Sequence, residues 1–171
     1  MKIFRDISFN TSWKDIRFDL FVSEDIFKSE QKIFGTRASL IRYLTARATF
    51  NIVDNRDESP EISFNTLEEV VRKSKVKRVA VLSAHGDSEN GVWYYAETRE
   101  QEGYQGENPY ITERHTINSW IREQEKRKYG ALILHCCNEK EHKPKVKRIP
   151  IFYAEGNVGI LPRYKTVFLE P

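Results

Sequence analysis

The order of apolar runs and helix-spaced segments predicts an α/β domain, a three-layer sandwich with a mostly parallel central sheet. Two observations carry this expectation. Residues 78–83 and 131–134 are continuous apolar runs, the pattern of strands buried on both faces. Around them lie segments with apolar residues at helical spacing: Leu40, Ile41 and Leu44; Leu67, Val70 and Val71; Ile117, Trp120 and Ile121.

Taken in order, residues 3–9 and 16–22 read as strands. Ser23 then caps a helix with Glu24 and Asp25 in its first turn, Ile26, Phe27 and Ile33 on its buried face and Gly35 as its stop. Thr36 caps a second helix that runs to Arg47, and residues 48–53 read as a short strand. Residues 54–62 are polar, contain Pro60 and predict a loop. Asn65 or Thr66 caps the next helix, whose first turn holds Glu68 and Glu69. The strand at 78–83 leads to Ala84-His85-Gly86-Asp87, after which the chain turns, and 91–95 reads as the outgoing strand. Residues 99–109, with Gly103, Gly106 and Pro109, predict a surface loop. A helix over 112–128 ends at Gly130. The strand at 131–134 delivers His135, Cys136 and Cys137, a charged loop covers 138–148, and strands follow at 149–154 and 167–169. Organisation divides at residue 36: residues 1–35 read as an N-terminal extension packed on the domain, and 36–171 as the α/β domain itself.

Composition bounds the function. The 171 residues are 39% hydrophobic and 31% charged, enough apolar material for a core under a charged surface. No apolar run reaches the roughly 18 residues of a membrane span, and residues 1–6 lack the apolar core of a secretory signal, which predicts a cytoplasmic protein without membrane contact. With 28 basic against 25 acidic residues the net charge is only +3, and acids are interspersed among the basic clusters, which argues against nucleic acid as a partner. The two cysteines are neighbours, Cys136 and Cys137, a spacing that strains a disulfide and excludes a stapled secreted scaffold.

The chemically loaded residues stand at the carboxyl ends of the two buried strands, where open parallel sheets bind ligands. One end is Ser83-Ala84-His85-Gly86 and the other is His135-Cys136-Cys137-Asn138. A nucleophilic cysteine needs a base or cation beside it, and histidine serves near neutral pH. A glycine next to that histidine lets the backbone approach closely and aim an N–H at a developing oxyanion.

A buried strand ending in His-Gly, followed about fifty positions later by one ending in a small residue and cysteine, resembles the caspase-like cysteine peptidases, the group of caspases, metacaspases and CHAT peptidases. Residues 78–86 match the first block and 131–137 the second, and the likeness extends over about 36–160. The resemblance implies a caspase-like fold and peptide-bond hydrolysis through a Cys137 thioester. His85 would be the general acid and base, and the backbone N–H groups of Gly86 and Cys137 the oxyanion donors. It implies no acidic third member, leaving Asp87 as a substrate contact or a turn residue. It implies a peptide or protein substrate, no cofactor, and room for an activating protein partner. The Cys137-Asn138-Glu139 context supports an alternative, a catalytically silent caspase-like module that binds a partner protein in a larger assembly.

Each of these residues also has a plainer reading. Strand alternation sends Cys136 to the face opposite Cys137, where it reads as a small buried hydrophobe; a one-residue register shift exchanges the two. Zinc is disfavoured, because His115, His135, Cys136, Cys137 and His142 lack ligand spacing. Redox cysteine pairs have two residues between them, which this pair does not. Trp93, Tyr94, Tyr95, Trp120 and Tyr129 read as core and groove walls.

Overall fold

The computed structural model describes residues 1–9, 13–53, 64–88, 91–97, 99–100, 110–111, 114–145, 148–159 and 163–171. A six-stranded mixed sheet forms its centre, in the order β1 (Lys2–Ile7), β2 (Arg17–Val22), β3 (Arg78–Ser83), β9 (Ala131–His135), β10 (Ile151–Asn157), β11 (Arg163–Leu169). The inner pairings β2–β3, β3–β9 and β9–β10 are parallel, whereas both edge strands pair antiparallel, so the expected mostly parallel sheet is mixed at its rims. A small antiparallel sheet joins β4 (His85–Asp87), β5 (Tyr94–Ala96) and β8 (Arg114–Thr116), and β6 (Arg99–Glu100) pairs with β7 (Tyr110–Ile111).

Helices cover both faces of the large sheet. On one side α1 (Glu24–Gln31), α2 (Arg37–Val53) and α3 (Phe64–Lys73) bring Phe27, Leu44, Ala48, Ile52, Leu67 and Val71 against Phe18, Leu20, Val79, Val81, Ala131, Ile133 and Phe152. On the other, α4 (Ile117–Lys126) brings Ile117, Trp120 and Ile121 against Ala80, Leu82, Leu132, Leu134 and Tyr153. Alternate residues of β3 and β9 therefore feed two cores, which is why these strands read as unbroken apolar runs. Each large side chain so buried contributes about 1.5–3 kcal/mol.

The first 35 residues supply two strands of this sheet: β2 runs parallel to β3 from Arg17 opposite Arg78 to Val22 opposite Ser83. Several local expectations are corrected. Residues 48–53 continue α2 rather than form a strand. Leu40, Leu44, Ala48 and Ile52 recur at every fourth position and are all buried, so packing on the sheet overrides local β-propensity. The Thr45 and Thr49 hydroxyls donate to the carbonyls of Ile41 and Thr45, both at 2.8 Å, and so are satisfied inside the helix. Helix α1 ends at Gln31, before Gly35, and Ile33 is 73% exposed rather than buried. Asn65 and Thr66 lie within α3, which already starts at Phe64. Residues 114–116 form β8 instead of the first turn of a helix, and α4 begins after Thr116, whose Oγ1 accepts the Ser119 N–H at 3.2 Å. The chain reverses after Asp87 as expected, but His85–Asp87 is itself a short strand, and the strand expected at 91–95 is Tyr94–Ala96. The expected loop at 54–62 and residues 101–109 of the second loop lie outside the described residues. Among the described residues no helix is long and apolar enough to cross a membrane.

Candidate functional site

The parallel register sets Ser83 of β3 opposite His135 of β9, so the two chemically loaded ends finish level. The chain continues from Ser83 into β4, with the Ala84 N–H reaching the His135 carbonyl at 3.4 Å. Two residues on, Gly86 meets Cys137 directly. A Cβ added to Gly86 would sit 1.9 Å from the Cys137 carbonyl oxygen and 2.6 Å from its nitrogen, so only glycine fits there. The same carbonyl accepts the Trp93 indole N–H at 2.9 Å. Among the described residues the Cys137 N–H has no protein acceptor.

His85, Gly86 and Cys137 line one cleft of about 810 Å³, together with Ser83, His135 and residues of α1 and α2. The neighbouring cysteines part company. Cys136 is fully buried in the core beneath α4, and burial pushes its thiol far above the ordinary range. Cys137 is half-buried and faces the cleft. Its Sγ donates to Asn157 Oδ1 at 3.4 Å and accepts the Val158 N–H at 3.3 Å, so its hydrogen bonds run to the end of β10 rather than to His85.

The His85 ring is held by α1. Its Nε2 is hydrogen bonded to Asp25 Oδ2 in the first turn of α1. Burial pushes the Asp25 carboxyl up, but the hydrogen bond and charge of His85 outweigh that and hold it below the ordinary carboxylate range. Sequence reasoning placed Asp25 only as a first-turn acid; the pair is 60 positions apart in the chain, and no local signal joins them.

Glu30, Arg47, His135 and Asp87 also line the cleft. Arg47 of α2 and Glu30 of α1 pair at 3.3 Å. His135 is buried, and its Nε2 has no hydrogen-bond partner among the described residues; burial, reinforced by the charge of Arg47, pushes the imidazole down to about 3, so it is neutral. Asp87 pairs with Arg114 at 3.0 Å, which gives it a structural partner in β8.

The residues after Cys137 are fixed by hydrogen bonds of their own. Asn138 is fully buried and clamps its own loop: its side chain accepts the His142 N–H at 3.0 Å and donates to the His142 carbonyl at 2.8 Å. Its main chain exchanges two hydrogen bonds with Gly156 of β10, whose φ of 122° suits glycine. His142 Nε2 lies 3.0 Å from the Ser88 carbonyl, while His115 stacks on Tyr95 in the small sheet. Among the described residues no three histidine, cysteine, aspartate or glutamate side chains converge to hold a metal ion.

Comparisons of this chain with models of protein families, with curated proteins and with solved structures return no match.

Proposed function

We propose that this domain hydrolyses peptide bonds through a thioester on Cys137, as the likeness of its two sequence blocks to the caspase-like peptidases implies. The single observation that supports this reading is the backbone contact of Gly86 with Cys137, which brings a His-Gly pair and a cleft-facing cysteine to one point at the ends of adjacent parallel strands. In the proposed reaction the Cys137 sulfur attacks the scissile carbonyl and passes its proton to His85. The N–H groups of Gly86 and Cys137 stabilise the oxyanion. As the tetrahedral intermediate collapses, the C–N bond breaks and His85 gives that proton to the leaving amine. Water, deprotonated by His85, then hydrolyses the thioester, and the thiol regains its proton. The substrate in this reading is a peptide or protein, and the setting cytoplasmic.

One observation favours a second reading. The Cys137 sulfur is hydrogen bonded to Asn157 and Val158, not to the histidine. A catalytically silent module of the same fold, binding a partner protein, would have this feature.

Labelling by peptidyl electrophiles with acidic and with basic first residues, read by intact mass, separates the two. The peptidase reading expects labelling that survives Cys136→Ala, disappears in Cys137→Ala and slows greatly in His85→Ala. Labelling no faster than that of a free thiol in every variant overturns it and leaves the binding module.

A further inference from the structure

We infer that Asp25, from the N-terminal segment, is the positioning residue of this site: through its hydrogen bond to Nε2 it fixes the His85 ring and leaves Nδ1 as the nitrogen that exchanges protons with Cys137 and the leaving amine. This rests on the peptidase reading.

Four observations carry it. The contact is direct, Nε2 to Oδ2, and both side chains are about three-quarters buried, at 24% and 23% exposure, so water competes weakly for either group. Asp25 is also held in place. The Ser23 N–H donates to the Ser83 carbonyl at 3.0 Å and the Glu24 N–H to the Glu97 carbonyl at 3.1 Å. These bonds pin the first turn of α1 to the end of β3, from which His85 departs two residues later, and to the end of β5, which pairs with His85. Third, the other charged groups of the cleft are engaged elsewhere or lie on its solvent side. Glu30 is taken by Arg47, Asp87 by Arg114, and Glu139 accepts from Asn157 Nδ2 at 3.5 Å, while Lys140 is exposed. Among the described residues Asp25 alone forms an ion pair with the ring. Fourth, Asp25 sits in the first turn of a helix, where the positive end of the dipole favours a carboxylate.

The chemistry follows. When Nδ1 takes the Cys137 proton the ring becomes an imidazolium, and its new charge lies against a carboxylate already in place. Asp25 keeps its negative charge throughout; the proton moves only between sulfur, His85 and the leaving amine. The segment read from sequence as an extension thereby completes the site.

The test combines a spectroscopic signature with the labelling rate, in wild type, Asp25→Asn, Asp25→Ala and His85→Ala. Asparagine keeps the size of the side chain but offers only a neutral acceptor. Wild type is expected to show a strongly deshielded imidazole N–H proton by NMR, absent in His85→Ala and lost in Asp25→Asn. Labelling of Cys137 at pH 7 is expected to fall about a hundredfold or more in both Asp25 variants. Absence of a deshielded His85 proton in wild type, or its persistence in Asp25→Asn, overturns the inference, as does equal labelling of folded wild type and Asp25→Asn, which leaves the peptidase reading standing. A resonance that disappears in Asp25→Asn in a protein whose Cys137 never labels supports the positioning contact and removes the peptidase reading. If neither variant folds, the wild-type resonance and its loss in His85→Ala decide.

Discussion

Gly86 lies with its bare Cα against the main chain of Cys137, and the three atoms nearest to an added methyl all belong to that backbone. The Cys137 carbonyl is further tied to the Trp93 indole. Because neither side can yield by rotating a side chain, Gly86→Ala must push β4 away from the turn after β9. Its expected cost is about 1–3 kcal/mol, typical of overpacking. Urea denaturation followed by tryptophan fluorescence reads the loss as a lower midpoint at unchanged slope.

Asn138 ties the loop after the cysteines through two side-chain bonds to the His142 backbone. Asn138→Ala leaves the part-buried His142 N–H and carbonyl without these partners, an expected loss of about 1–3 kcal/mol. Asn138→Asp keeps the acceptor for the His142 N–H but sets a fully buried carboxylate against the His142 carbonyl, so its destabilisation is expected to be at least as large as the alanine loss. Thermal denaturation of both variants beside wild type checks the order.

Cys136 and Cys137 differ in access far more than in sequence position. Iodoacetamide is expected to modify one thiol in the native protein, at Cys137, and both after unfolding, since Cys136 is enclosed and its thiolate is strongly disfavoured. Peptide mapping after a native-state reaction assigns the modified residue. Modification of Cys136 at a comparable rate would mean that the strand register is shifted by one.

His135 makes stability depend on acidity. Burial and Arg47 hold the folded imidazole near 3, whereas an unfolded histidine titrates near 6.5. The unfolded chain therefore binds the extra proton first as pH falls. Stability from this group is complete above about 6.5 and is lost on acidification, down to about 3, at up to about 1.4 kcal/mol per pH unit. Between pH 7 and 5 wild type is expected to lose about 2 kcal/mol that His135→Gln does not lose. Denaturant midpoints at the two pH values measure the difference, and equal slopes for the two proteins would sink the account.

By itself the sequence determined what depends on neighbours along the chain. Continuous apolar runs marked β3 and β9 because both faces of each strand are buried, and strand alternation sent Cys136 and Cys137 to opposite faces. It also placed His85-Gly86 and Cys137 at strand ends, since each follows its run within a few residues. Only the tertiary structure decided the rest. Residues 48–53 carry strand-forming side chains, yet Ala48 and Ile52 gain burial on the sheet only as helix. Residues 1–35 join the sheet because β2 finds β3 across 61 positions of chain, Arg17 against Arg78. The carboxylate beside His85 likewise comes from α1, and the charge near His135 from α2. Alternation and helical spacing record which way a side chain points; they hold no record of which distant element packs above it. That choice is made when the chain closes its long-range contacts, where burial and hydrogen bonding between remote residues set the balance.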